Sequence, residues 1–346
     1  MHSAPWTRRA RSLIGALVAC AALLLGAVPQ AAAAAAAEEP AEEAAAGKAH
    51  PPPPTRVYVA NLESGTVTVI NAANNSVVDT IAVGAQPSGV AVNSVRNRAL
   101  VANADDDDVS VIDTTTNTVI DTIDVGNVPR GVAVDPTRDR GYVTNFDDNT
   151  VSVIDFEDNS VIDTIPVGNG PIRVDVDPSR ARATVVNLGS AAVSVINLNT
   201  HTVVTTVAVP PGAFGVAESP TRARAYVTSS GPDSVSVLDT KSNTVVATVP
   251  VGEFPRDVAV GPKGRQVFSA NQNSDDISII NDATGTVSQV PVGDGPRAVG
   301  VDPFRDRVYV GNATSDDVSV VNPQTHNVIA TIPAGDGPVS IAVARL

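Results

Sequence analysis

A polar residue that closes a short apolar run recurs seven times at nearly constant spacing, and that period decides the architecture. The residues are Asn61, Asn103, Asn145, Asn187, Ser229, Asn271 and Asn312, 42 residues apart five times and 41 once. All four tyrosines, Tyr58, Tyr142, Tyr226 and Tyr309, stand three residues before one of these anchors. A fixed period near 40 marks repeated supersecondary units that bury a core only by packing on one another.

The third copy shows what one unit encodes. Gly141–Asn145, Val151–Asp155, Ser160–Val167 and Arg173–Asp177 are short runs rich in β-branched residues. Turn residues separate them, so each period holds four strands and no helix-period run follows Arg56. Four antiparallel strands repeated radially make a blade, and seven copies predict an all-β, seven-bladed β-propeller. A solenoid fits less well: leucine-rich and hexapeptide repeats are much shorter, and the end copies here lack the atypical sequence of capping repeats. Ring closure has its own signal. The first copy begins at Arg56 without the strand that precedes the anchor run elsewhere, and Val339–Val343 is an orphan copy of that strand. The C-terminal strand is expected to complete the first blade. The residue missing before Asn312 falls between Asn281 and Gly293, where a turn would absorb it most easily.

Tyr142-Val143-Thr144-Asn145 followed by Val151-Ser152-Val153-Ile154-Asp155 resembles the YVTN-type β-propeller repeat of bacterial secreted and periplasmic proteins and archaeal surface-layer proteins. The likeness spans residues 56–346, with variants such as Tyr58-Val59-Ala60-Asn61, Tyr226-Val227-Thr228-Ser229 and Tyr309-Val310-Gly311-Asn312. It implies the fold and leaves activity open, since related propellers include lactonases, a haem-binding nitrite reductase domain and proteins with only a binding role.

The N-terminus reads as an export signal. Arg8, Arg9 and Arg11 precede the apolar run Leu13–Val28, and Ala31–Ala37 offers small-residue cleavage sites. Residues 1–37 are therefore expected to be removed and the mature protein to act outside the cytoplasm, in the cell envelope or beyond, with no transmembrane span. Thr7-Arg8-Arg9 hints at twin-arginine export. Leu17-Val18-Ala19-Cys20 resembles a lipobox, but the apolar run continues past Cys20. Residues 38–55 read as an Ala/Glu/Pro linker ending in four prolines, a composition that favours an extended spacer. Cys20 is the only cysteine, so disulfides and thiolate chemistry are not expected after processing. With Arg8, Arg9 and Arg11 set aside, 20 basic residues face 37 acidic ones, a net charge of −17 that disfavours nucleic acid as a partner.

Strand order assigns charges to faces. The turns before the anchor strands carry paired basic residues: Arg96 and Arg98, Arg138 and Arg140, Arg180 and Arg182, Arg222 and Arg224, Lys263 and Arg265, Arg305 and Arg307. The loops after the anchors carry Glu63, Asp105–Asp108, Asp147, Asp148, Asp233, Asp275, Asp276, Asp316 and Asp317. A molecule electrically polar along its axis is expected. Asp105, Asp106, Asp107 and Asp108 form the densest acidic run and the candidate site for a hard cation such as Ca²⁺, although no D-x-D-x-D-G pattern accompanies them. No other cofactor is indicated.

On the acidic face one loop position should ring the channel mouth: Ser88, Arg130, Ile172, Phe214, Arg256, Arg297 and Val339. The next position is small in most copies, so Arg173 and Asp257 depart from the pattern, and Asp175 replaces an alanine two residues on. Arg173 and Asp175 share one strand face, and an internal ion pair between them is expected. Arg130, Arg173, Arg256, Arg297, Asp175 and Asp257 are the candidate ligand-binding residues, because arginine forks match carboxylate and phosphate. Catalytic residues are not indicated. His201 and His326 lie in equivalent turns of separate blades, which removes a Ser–His–Asp triad or a histidine-rich metal site. The sequence favours a non-enzymatic binding propeller, with a protein, a wall component or a small anionic ligand as partner. The alternative is a metal-dependent lactonase- or lyase-like enzyme.

Overall fold

The computed structural model describes residues 54–346. The signal and nearly all of the linker lie outside the described residues. Seven four-stranded antiparallel sheets follow one another, each with its inner strand toward the axis and its outer strand toward solvent. We call these strands A to D from inside out. In blade three, Pro129–Asp135, Arg140–Asn145, Thr150–Asp155 and Ser160–Pro166 are strands A to D. Blade one is closed as expected. Its strand A is Pro338–Arg345, which pairs antiparallel with Thr55–Asn61, Val57 opposite Val343 and Tyr58 opposite Ala342. No helix of the described residues is long and apolar enough to cross a membrane.

The core is divided among the seven junctions between blades. At the first junction Tyr58, Val67 and Val69 pack on Val90, Val101 and Ile112 of blade two; at the last, Tyr309 and Val318 pack on Val57 and Ile70 of blade one. All four tyrosines are fully buried at such junctions. Burial pushes the hydroxyls of Tyr58 and Tyr142 up to about 12.

The anchor asparagines hold strand B to strand C. Asn61 Nδ2 donates to Thr66 Oγ1 at 3.0 Å and Thr68 Oγ1 at 2.9 Å, and Asn145 donates in the same way to Thr150 and Ser152. A glycine in the loop entering strand A lies against each such amide. A Cβ on Gly84 would meet Asn103 Cγ at 2.6 Å, so no side chain fits there. Blade five breaks both halves of this rule together: Ser229 replaces the asparagine and Pro210 takes the glycine position. Ser229 Oγ is left buried without a partner.

The lost residue of blade six is not in a turn. Strand D carries a β-bulge in six blades, with Val78, Ile120, Ile162, Val204, Val246 and Ile329 as the extra residues. In blade six, Val287–Pro291 pairs with Asp276–Ile280 without a register shift. The deletion removed the bulge, whose residue is exposed elsewhere and contributes nothing to the core.

Candidate functional site

The two charged rims are built mostly into the fold. On the face of the A–B turns, Arg96 pairs with Asp139, Arg98 with Asp113, Arg138 with Asp135 and Arg140 with Asp155. Arg180 pairs with Asp177, Arg182 with Glu218, Arg222 and Arg224 with Asp282, and Arg305 with Asp302. Nine of the twelve rim residues are thus neutralised where they stand. A tenth, Arg307, donates from Nη1 to the Ala72 carbonyl of the next blade at 2.7 Å. In blade six the pattern slips by one residue: Gln266 opens strand B where the other blades have arginine, so Lys263 and Arg265 stand out of step. The expected axial polarity is therefore much reduced on its basic side.

The acidic loops are used as staples. Asp107, Asp233, Asp275 and Asp316 each accept a backbone N–H about one half-repeat ahead, from Val128, Phe254, Gly295 and Gly337, at 2.8–2.9 Å. The expected calcium cluster is taken apart by the same logic. Asp105 accepts from Gln86 Nε2, Asp106 from the Ala85 N–H, Asp107 from the Val128 N–H and Asp108 from Asn103 Nδ2. Consecutive residues of this turn face different neighbours. Among the described residues no three His, Cys, Asp or Glu side chains are placed to hold a metal ion.

The channel mouth is different. A cavity of about 130 Å³ is lined by all seven residues of the expected ring, Ser88, Arg130, Ile172, Phe214, Arg256, Arg297 and Val339, together with Arg173 and Leu62. Arg130, Arg173, Arg256 and Arg297 are half-buried, and none has a carboxylate within ion-pairing distance among the described residues. Arg297 Nε is buried and has no hydrogen-bond partner. Arg256 is held on three sides: its guanidinium lies 4.1 Å from the Phe214 ring centre and 4.7 Å from that of Phe254, and its Nε donates to Gln272 Oε1 at 2.5 Å. Burial, with repulsion from Arg297 and Arg173, brings its pKa down to about 10. Phe254 reaches this position from a left-handed backbone, φ 56°, where four other blades have glycine.

Arg173 is the floor of the cavity. Its Nη1 donates to the Ser88 carbonyl at 3.1 Å and the Arg130 carbonyl at 3.4 Å, and its Nη2 to the Val339 carbonyl at 3.0 Å. One guanidinium from blade four thus ties blades one, two and three across the axis. The expected ion pair with Asp175 is not formed. Asp175 accepts from the Val176 and Glu218 N–H groups, and Asp257 from those of Val258 and Val299. Inner strands have no neighbour on their axial edge, so their free N–H and C=O groups compete successfully for these side chains. Burial raises both carboxyls, Asp175 to about 6; Arg173 pulls Asp257 back down.

Several residues near the charged sites are not marked by the repeat pattern. Leu62, Phe146 and Gln272 each follow an anchor by one residue, a position that proves to border the mouth. Away from the mouth, Glu218 stands where the other blades have valine, and Thr184 where strand B otherwise carries tyrosine, leucine or phenylalanine. Thr184 Oγ1 donates to Glu218 Oε1 at 2.5 Å, and the smaller threonine makes room for the buried Arg182, whose Nε lies 3.3 Å from the same oxygen. Burial drives Glu218 up to about 7, against the attraction of Arg182. Comparing each copy with its six siblings would have exposed both substitutions.

Known proteins confirm the architecture. Residues 212–292 match a family described as Lactonase, 7-bladed beta-propeller. The chain is similar in structure to hydrazine synthase of Kuenenia stuttgartiensis, with a TM-score of 0.67, 22% identity, and coverage of 74% of this chain and 89% of that one. It is also similar to a functionally unknown protein of Desulfotomaculum acetoxidans, with a TM-score of 0.72, 14% identity, and coverage of 84% and 99%. No curated protein matches. At these identities the likeness is one of fold: the chain is a seven-bladed β-propeller with a stretch similar to the lactonase propellers.

Proposed function

We propose that this chain is a non-enzymatic binding propeller of the YVTN-repeat kind, acting outside the cytoplasm, whose channel mouth receives an anionic group. The observation that carries the reading is the set of four mouth arginines with no carboxylate in ion-pairing contact, on a protein whose other arginines are mostly paired. Half-buried like charges repel one another and are costly to desolvate, and a bound anion relieves both penalties. The basic n-region and apolar run before residue 38 support export. The test is a melting-temperature survey of the purified protein against small inorganic and organic anions at constant ionic strength. A native-state ligand at 100 times its Kd adds about 2.7 kcal/mol, which a melting curve resolves. A flat response to every anion overturns the reading.

The match of residues 212–292 supports a second reading, a metal-dependent lactonase- or lyase-like enzyme. Within that stretch Asp257 is a channel carboxylate, and both its oxygens already accept backbone N–H groups. Lactone hydrolysis that depends on a divalent metal and disappears in Asp257→Asn would favour this reading.

A further inference from the structure

We infer that the mouth selects a compact tetrahedral oxyanion, a phosphate or its like, rather than a carboxylate or a polyanion. This rests on the anion-binding reading of the same cavity. Three features narrow the ligand. The first is direction. Arg256 and Arg297 come from adjacent blades, Arg130 from the blade facing their junction across the ring, and Arg173 from below. A planar carboxylate presents its oxygens in one plane, whereas a tetrahedral ion presents them toward donors on opposite walls and on the floor. The second is size. A cavity of about 130 Å³ is well below the ~300–1,000 Å³ of a drug-sized pocket, so it fits an ion or the terminal group of something larger. The third is the surrounding charge. Exposed Glu63, Asp105, Asp147, Glu253, Asp294 and Asp336 stand on the mouth face, and an extended polyanion would lie against them.

Preorganisation supports the assignment. Arg256 has its face covered by two rings and its Nε taken by Gln272, which leaves its terminal nitrogens as a fixed fork. The unpartnered Arg297 Nε supplies a further donor in the same cavity. A phosphate carried on an uncharged stem and free inorganic phosphate share this chemistry.

Calorimetric titration of the protein with inorganic phosphate, sulfate, glycerol 3-phosphate, acetate, citrate and a short oligonucleotide tests the inference. Phosphate and sulfate are expected to bind, acetate and the oligonucleotide not to bind, and Arg297→Ala to weaken phosphate at least ten-fold with an unchanged melting temperature. Glycerol 3-phosphate binding as tightly as phosphate supports a ligand that carries the group terminally; binding of phosphate without it supports the free ion. Acetate or citrate binding in place of phosphate overturns the tetrahedral assignment and leaves the anion-binding reading standing. Silence toward every anion overturns both. If Arg297→Ala binds phosphate like the unaltered protein, the cavity is not the site.

Discussion

Arginine stands at both ends of the ring, and the two ends treat it in opposite ways. At the A–B turns most partners are written into the same repeat, while Arg96, Arg182, Arg222 and Arg224 reach an acid of the next blade: Asp113 and Asp155 occupy one position in successive blades and meet Arg98 and Arg140 in the same manner. Copying the unit copied the pair. At the mouth only Arg130, Arg256 and Arg297 interrupt a ring that is otherwise hydroxyl or apolar, and no acidic position travels with them. A charge that recurs with its partner belongs to the fold, whereas a charge that appears in one or a few copies is assigned by its contacts: Glu218 and Arg173 are tied into the fold, and Arg130, Arg256 and Arg297 have no carboxylate in ion-pairing contact. The identity of a residue says little here; its recurrence says a great deal.

The sharpest way to break this comparison is to open the ring. Deleting Val339–Leu346 removes the inner strand of blade one and a carbonyl that Arg173 uses, and leaves sheet edges exposed. We expect loss of the cooperative melting transition and of any anion response, although the pairs within blades two to six keep their partners. A sharp transition at the original temperature would show that closure does not depend on this strand.

The next effect separates a paired arginine from a free one. Arg182→Met strands Glu218 in the interior and is expected to cost about 3–5 kcal/mol at pH 8, read from denaturant curves. Arg297→Ala is expected to cost nothing measurable.

Acidity sharpens the same contrast. Glu218 and Asp175 have folded pKa values raised to about 7 and about 6, so their contribution to stability is complete below the unfolded values and is lost as pH rises through the folded ones. The protein should be more stable at pH 5 than at pH 8, by roughly 4 kcal/mol. Glu218→Gln should flatten most of that slope. Asp135 and Asp177 are held below the usual carboxylate range by hydrogen bonds from Thr137, Ser179 and their neighbouring arginines, against the opposing effect of burial. Their contribution fails only in stronger acid, below this window.

Within the mouth, Arg256→Ala should cost about 1–2 kcal/mol, because it removes a desolvated contact with two aromatic rings. Smallest of all, Arg96→Ala on the paired rim should leave the melting temperature essentially unchanged, since the Arg96 side chain is exposed to solvent. A cost for Arg96 larger than that for Arg256 would invert the account of the two faces.

The fold was legible because the period, the anchors and the tyrosines all repeat, and repetition turns one chain into seven aligned observations. The same alignment placed the mouth ring, residue for residue. What it could not show were contacts between blades. Thr184 and Glu218 are 34 residues apart, and Arg173 meets carbonyls up to 166 residues away. Charge patterning also misled. Sequence pattern pairs Asp175 with Arg173, yet the unpaired backbone of the inner strands holds both. Likewise, four consecutive aspartates suggest one cation site, whereas each is committed to a separate loop contact.

The tie made by Arg173 has a consequence for biogenesis. Its three acceptors lie on the closing strand and on blades two and three, and the closing strand is the last of the ring to leave the ribosome. Until that strand docks, the mouth lacks Val339 and its floor lacks one of its supports. A partly made or partly unfolded chain therefore cannot present the site. On the anion-binding reading, retention on a phosphate matrix would report on completed rings alone and would serve as an assay of maturation.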